Sequence, residues 1–517
     1  MPPALPSCHR QYPFVSSRLP SLALRFAAME SSEVTTNKRR RVGATSSFSA
    51  SLLPPPSGCL ASLLIVILTA LTSDASATAV TTAFTSICSS RPQSHSSIHL
   101  QPPTRSSRLN AIRSKATKKR RTEKKRGTAE TTNALLRTLQ TSCYTPSLLL
   151  SNVGRKVTPQ NDADGKVASL VLVRLAKLAV ERTNSALYTV GCDSNATGRV
   201  QLWDEGVGDD DAELPINIIS DVCSTLATAI ESSSADLVCG INGIKAAGVI
   251  SRLFRLTHDE STIADAFAPL IQSYADVQTD NMEDHHLSGL RWAYDNLALC
   301  INGDDLLPSH INDAYRALDL PFRIRPGLMN TIDELTVSAL MSQVDFRADT
   351  VRTTSTSKAV RERRLTAWEG ESVDTIPGFA YSGKVMETRP FSPLVLSVRD
   401  ELLRKTAVKY DCCLLNLYPH GESGMRYHID PDQGALWGHE TAVVSVGATR
   451  KFAFRTIPGL EDARRTSAVH NFLVLSGDVT EMFADCQQRF QHTVKTAENK
   501  EEKATRSSLV YKRALPN

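Results

Sequence analysis

The chain has 517 residues, 59 Lys plus Arg against 54 Asp plus Glu for a formal net charge of +5, and a hydrophobic fraction of 41%. That length and apolar content suit two or three domains with real cores, and exclude collagen, disorder along the whole chain and a polytopic membrane protein. The charge is unevenly placed: residues 1–127 hold 19 basic and 4 acidic residues, residues 128–320 hold 13 and 26, and residues 321–517 hold 27 and 24. Three regions with these bounds are therefore expected: a leader with a basic linker, an acidic region and a C-terminal domain. The 11 cysteines form no CxxC pair. This argues against a zinc ribbon, a thioredoxin-like motif or a secreted disulfide scaffold, and for a reducing compartment.

Residues 60–72, LASLLIVILTALT, are an apolar run of thirteen, too short for a helix to cross about 30 Å of hydrocarbon. It reads as a signal h-region, followed by the small-residue sites Ala75-Ser76-Ala77 and Thr81-Thr82-Ala83 and then by Phe84. From Ala75 to Thr122 there is no Asp or Glu. These features together resemble the bipartite plastid presequences of algae with secondary plastids. The resemblance implies a transit peptide, plastid delivery and no stable membrane span in the mature protein. Met29 is a second candidate start. Lys38–Val42 (KRRRV) and Lys118–Arg126 (KKRRTEKKR) also read as nuclear-import or nucleic-acid tails, so the nucleus is the alternative location.

From about 130 to 320 apolar residues recur at helical spacing, as in Ile218, Ile219, Val222, Cys223, Leu226 and Ile230. Val167–Val180, Ile244–Leu256, Ile263–Tyr274, Leu287–Leu299 and Ile311–Leu318 read similarly. Six or more helices with no strand between them predict an all-α bundle or short solenoid. Gly206, Gly208 and Asp209–Asp211 mark a polar loop, and Pro215 opens the next helix. The acidic charge opposes binding to a phosphate backbone and favours docking of a protein partner. Asn195-Ala196-Thr197 matches a glycosylation sequon by chance.

The C-terminal region carries a metal-site pattern. His428 and Asp430 are two apart at the end of an apolar stretch, and a strand period of two puts both on one face. An isolated HxD is weak. A third ligand must come from elsewhere, and His492 follows an apolar strand and the turn Asp485-Cys486-Gln487; His470 is the rival. Two histidines and one carboxylate leave open positions on Fe(II) for a keto acid and O2. A dicarboxylate cosubstrate needs a deep cation, and Arg506 lies on the strand-like run SSLVY, 14 residues after His492. The adjacent Cys412 and Cys413 are expected to be buried on opposite faces.

Here the chain resembles the AlkB family of Fe(II)/2-oxoglutarate dioxygenases, from about Pro321 to Arg513. The family's N-x-Y-x-x-G and H-x-D motifs appear as Asn416, Tyr418, Gly421, His428 and Asp430, and Ser445–Phe452 is similar to its S-L-G-A-x-R-x-F segment. Arg363–Gly370 and Tyr381-Ser382-Gly383 look like its substrate-lid strands. The resemblance implies a double-stranded β-helix (jelly-roll), iron on His428, Asp430 and His492, and 2-oxoglutarate held by Asn416, Tyr418 and Arg506. It departs from the closing R-x-N-x-T-x-R motif at Ser508, Val510 and Lys512. Lys512 falls on the face of Arg506 and can supply charge but not a planar fork, so weaker cosubstrate binding is expected.

The implied reaction is oxidative demethylation of N-alkylated bases (N1-methyladenine, N3-methylcytosine) in DNA or RNA, a repair activity. Trp368 and Tyr381 are then placed to stack an extruded base, with a core or rim role as the alternative. Ser382 belongs to the same lid, and Asp432 either accepts a hydrogen bond from the base or closes a turn. Arg361, Arg363 and Arg364 would contact phosphates. Two other readings remain: an oxygenase acting on a protein side chain or a lipid, and a non-catalytic binding protein whose helical region carries the function.

Overall fold

The computed structural model describes residues 130–189, 200–201, 213–255, 260–301, 305–352, 359–460 and 469–516, all within one compact unit, Pro102–Asn517. The leader with its h-region and basic runs, the sequon, and the loop at 206–211 lie outside the described residues.

The N-terminal part is helical: α1 (130–141), α2 (Pro146–Asn152), α3 (Lys166–Thr189), α4 (Glu213–Glu231), α5 (Leu237–Leu253), α6 (Glu260–Gln272), α7 (Asp284–Cys300) and α8 (Ser309–Ala317). Helical spacing decides which faces are buried. In α3 Val167, Val171, Leu172, Leu175 and Ala179 are buried at steps of three and four. Its start is held by the buried Asp162, whose carboxylate accepts from the Val167 and Ala168 amides at 3.0 and 2.8 Å and satisfies two of the free N–H groups of the first turn. Helices α5 and α7 approach closely because Gly248 has no Cβ; one would stand 3.0 Å from the Ala293 carbonyl oxygen. One strand pairing was not anticipated: Val200–Gln201 runs parallel to Phe254–Arg255, a contact between segments more than 50 residues apart that leaves no periodic signal. None of the described helices is long and apolar enough to cross a membrane.

The C-terminal part is β-rich. Besides the antiparallel pair Thr350–Arg352 and Ala359–Arg361, its strands are β1 (Phe322–Arg325), β2 (Leu365–Gly370), β3 (Phe379–Tyr381), β4 (Lys384–Met386), β5 (Arg389–Pro390), β6 (Cys412–Tyr418), β7 (Trp437–Gly447), β8 (Arg450–Thr456), β9 (His470–Val474), β10 (Val479–Met482), β11 (Phe490–Val494) and β12 (Arg506–Ala514). Seven of them form a sheet in the order β1-β10-β7-β12-β6-β2-β5, and three form a second sheet, β9-β8-β11. Period two assigns the faces. Cys412, Leu414 and Tyr418 of β6 join the core between the sheets, while Cys413, Leu415 and Leu417 join a second core under α9 (Val337–Gln343) and α10 (Pro393–Thr406). The two cysteines are thus buried, free and on opposite faces.

The helices share the inter-sheet core: Trp292 of α7 packs 6.1 Å from Phe472 of β9, ring centre to ring centre. Polar contacts add to it. Arg252 and the fully buried Asp478 form an ion pair at 2.8 Å. Asn184 accepts from the Thr449 amide at 2.9 Å and donates to Glu502 at 3.1 Å.

Candidate metal and cosubstrate site

The metal-site residues meet through backbone pairing. Residues 427–429 pair with β11 by a bridge in which the His428 amide donates to the His492 carbonyl at 3.1 Å and the His492 amide donates back at 2.9 Å. The two rings are therefore brought to 4.2 Å centre to centre. Asp430 Oδ1 sits 3.6 Å from Nε2 of each ring. The three donor atoms lie within 4.8 Å of one another, and among the described residues this is the cluster of His, Cys, Asp and Glu that could hold a metal ion. Two imidazole nitrogens and one carboxylate are the donor set expected for non-haem Fe(II), so the residues fit the ion.

Supporting groups set the protonation of each ligand. His428 Nδ1 lies 2.9 Å from the Arg426 carbonyl, which can only accept, so this nitrogen carries the proton and Nε2 presents a lone pair. Burial pushes the His428 imidazole below its usual value against the pull of Asp430. Burial, with His428 adding to it, pushes His492 down to about 3. Both rings are neutral at pH 7, the form that ligates. Burial alone would raise the Asp430 carboxyl, but Lys512, His492 and His428 outweigh it and hold the group well below the usual carboxylate range. Lys512 Nζ donates to Asp430 Oδ2 at 2.6 Å, and the Asp430 amide donates to Gln487 Oε1 at 2.9 Å.

Next to the cluster, three strands oppose polar residues across the inner face. Tyr418 pairs with Arg506, Asn416 with Ser508, and Ser445 with Ser508. Arg506 is fully buried; it donates to Ser445 Oγ at 2.8 Å and the Ala448 carbonyl at 3.3 Å, and no carboxylate of the described residues is bonded to it. Burial pulls its guanidinium down to about 10. Arg506 Nε, both amide atoms of Asn416 and Ser508 Oγ are buried without partners. Buried polar atoms are normally bonded, and a buried cation is normally paired. Orphans clustered around an unpaired Arg fit a dicarboxylate cosubstrate.

Lys512 shares the inner face with Arg506, as period two requires, but is engaged by Asp430, Gln433 at 3.3 Å and Thr441 at 3.5 Å. It is a counter-ion to the metal ligand before it is a cosubstrate contact. His470 is two strands from His492, with β8 between, and its Nδ1 lies 2.8 Å from Ser288 Oγ of α7. It is therefore not a ligand.

Placement of the lid residues differs from the stacking expectation. Trp368 is 1% exposed, packed against Phe379 at 4.9 Å and Trp437 at 5.2 Å, with Nε1 donating to the Pro377 carbonyl at 3.2 Å. Its alternative role, core aromatic, is the one observed: Trp368 opposes Leu414 on the inner face, and that face is filled by aromatics. Tyr381 is half-buried, donates to Glu362 at 2.8 Å, and has Arg364 and Lys384 each 5.3 Å from its ring. Ser382 and Gly383 are exposed at the β3–β4 turn, both with positive φ, as a two-residue hairpin of this type demands. Asp432 is exposed with φ 57°, and its carbonyl accepts from the Leu436 amide at 2.9 Å, the turn role. Arg361 and Arg363 are exposed; Arg364 is half-buried, with Nη1 unpartnered. Sequence reasoning missed Ser445, Gln433, Gln487 and Thr441 as supports. Only Ser445 carried a signal, its place in the Ser445–Phe452 motif.

Comparison with known proteins places residues 328–513 on the model of the 2OG-Fe(II) oxygenase superfamily. The chain is 30% identical over 179 residues to uncharacterized protein R406 of Acanthamoeba polyphaga mimivirus, covering 34% of this chain and 87% of that protein. It is 28% identical over 145 residues to the DNA oxidative demethylase ALKBH2 of Bos taurus (28% of this chain, 51% of that one). It is 32% identical over 103 residues to alpha-ketoglutarate-dependent dioxygenase alkB homolog 3 of Bos taurus (20% and 34%). The chain thus spans about half and a third of the length of these two relatives. A solved structure titled "The structure of OsALKBH1" aligns at 16% identity with a TM-score of 0.26, over 38% of this chain and 98% of that one.

Proposed function

This chain belongs to the AlkB-like 2OG-Fe(II) oxygenases and is a 2-oxoglutarate-dependent dioxygenase, and from that premise we propose that it removes N-alkyl groups from nucleobases in DNA or RNA. The cofactors of the family are Fe(II), 2-oxoglutarate and O2. When bound, the metal supplies O2 activation coupled to decarboxylation of 2-oxoglutarate to succinate and CO2, and the N-methyl group so hydroxylated is lost as formaldehyde.

In this proposal His428, Asp430 and His492 hold the iron. Lys512 keeps Asp430 ionised, and the Arg426 carbonyl keeps His428 in the ligating tautomer. Arg506 takes the distal carboxylate of the cosubstrate, where bidentate pairing supplies the missing anion, and Asn416, Tyr418 and Ser508 occupy the rest of the polar wall. These groups are preset by strand register, so binding requires little reorganisation. Tyr381, Ser382 and Asp432 form the rim that meets the substrate, and Trp368 supports that rim from the core. The substrate class is supported by the similarity to ALKBH2, a DNA oxidative demethylase.

The test is incubation of the full chain with Fe(II), ascorbate, 2-oxoglutarate and matched DNA and RNA oligonucleotides bearing N1-methyladenine or N3-methylcytosine, read by mass spectrometry. Methyl loss that disappears in His428→Ala supports the proposal and ranks DNA against RNA. Succinate without methyl loss moves the substrate to a protein side chain or lipid. The same proposal places the reaction in a plastid, on the acid-free basic stretch at 75–122. A fluorescent fusion of residues 1–127 that collects in the nucleus would overturn that location.

A further inference from the structure

A cavity of about 820 Å³ lies away from the metal site, where α3, α5 and Trp292 of α7 meet the ends of β8 and β9 and the segment Thr496–Asn499. None of His428, Asp430, His492, Asn416, Tyr418 or Arg506 lines it. Its size is within the range of small-molecule sites. Its walls are largely apolar, including Leu170, Val173, Val180, Val249 and Leu473. Val173 and Val238, two of the exposed large apolar side chains of the described residues, open onto it at 38% and 46% exposure.

Apart from the exposed Lys166, one cation in this wall has no anion. Lys245 Nζ donates to the Asn471 carbonyl at 3.0 Å and stands 5.8 Å from the centre of the Trp292 ring. No carboxylate of the described residues is paired with it. The neighbouring carboxylates are engaged: Glu498 is shared by Lys177 and Lys451, and Glu502 is held by Arg450 and Asn184. Asp164, Glu181 and Asp236 also line the cavity, but none is within ion-pair distance of Lys245. Gly289 leaves the space the lysine stem occupies, since a Cβ there would come within 3.3 Å of Lys245 Cδ. Burial, with Lys451 adding to it, pulls the ammonium down to about 8. An ammonium held in an apolar wall by a neutral carbonyl and a ring face is costly unless an anion completes it.

We propose that this cavity binds a long-chain carboxylate, with the carboxylate on Lys245 beside Trp292 and the hydrocarbon chain along Val173, Val180 and Val249. With Lys166 exposed to solvent, the one uncompensated cation inside the wall selects one negative charge, and the apolar surface beside it takes a hydrocarbon chain.

Calorimetric titration of the full chain with palmitate below its micelle concentration tests this, with hexadecanol and hexadecyltrimethylammonium as probes of the same chain and different head. Saturable one-to-one palmitate binding is expected, weaker for the alcohol and weakest for the cation. Lys245→Met should weaken palmitate by roughly tenfold or more, the loss of one charge-assisted hydrogen bond, and leave the alcohol unchanged. Val173→Trp, which fills the cavity from its open side, should weaken both. Thermal melts of the variants show that they are folded. No saturable binding of palmitate to the wild-type chain, or equal binding to Lys245→Met, overturns the proposal.

Discussion

His470 offers a measurable signature of how the helices and the sheet are joined. Its ring is 4% exposed, edge-on to Phe322 at 5.2 Å, with Ser288 Oγ of α7 at 2.8 Å from Nδ1. Burial, with His285 and Lys245 adding to it, lowers its pKa from 6.5 to about 3. Above pH 6.5 the ring is neutral in both folded and unfolded chains and contributes no pH dependence. Between 6.5 and about 3 the unfolded chain takes up a proton that the folded chain refuses, so stability falls as the pH falls. At pH 5 the single group costs about 2 kcal/mol, one and a half pH units at about 1.4 kcal/mol each. His470→Asn removes the titration and retains a polar atom near Nδ1. Urea unfolding followed by tryptophan fluorescence, with chelator present, compares both proteins at pH 7 and pH 5. The variant starts lower because of the vacated volume; the quantity of interest is the change between the two pH values. The wild type should lose about 2 kcal/mol more than His470→Asn on acidification, since contributions from His428 and His492 are common to both and cancel. Equal losses would refute the assignment of a buried, neutral His470.

Three further outcomes follow from the site. Arg506→Met should raise the Kd for 2-oxoglutarate on the order of 100-fold while leaving unfolding stability equal or higher, because the buried, unpaired guanidinium is a cost in the free protein; a loss of several kcal/mol in urea melts would contradict this. Lys512→Met should weaken iron by roughly 10- to 100-fold in competition with a chromophoric chelator, as expected for loss of a partner that positions a metal ligand, and unchanged affinity would remove Lys512 from that role. Trp368→Ala should destabilise the chain by about 3–5 kcal/mol, the usual result for a large core aromatic; a variant with normal stability and impaired substrate binding would restore the stacking reading.

Much of the site was legible in one dimension. The alternation that puts Asn416, Tyr418, Arg506 and Lys512 on one sheet face follows from strand geometry acting over a few residues, whereas His428 and Asp430, expected at the end of a strand, lie outside the named strands and are placed by the isolated bridge between His428 and His492. The helices of the acidic region were likewise legible, because 3.6-residue periodicity is local and their buried faces are amphipathic. The rest depends on which distant segments become neighbours. His492 rather than His470 completes the metal cluster because β11, not β9, pairs with residue 428. Trp368 is core rather than lid because Phe379 and Trp437 close over it. Lys512 serves Asp430, Arg252 serves Asp478 and Lys245 is left without a carboxylate because those charges come from segments brought together only on folding. Periodicity is written into the chain residue by residue; the partner of a buried charge is set by packing between strands and helices far apart in sequence, and no local pattern encodes it.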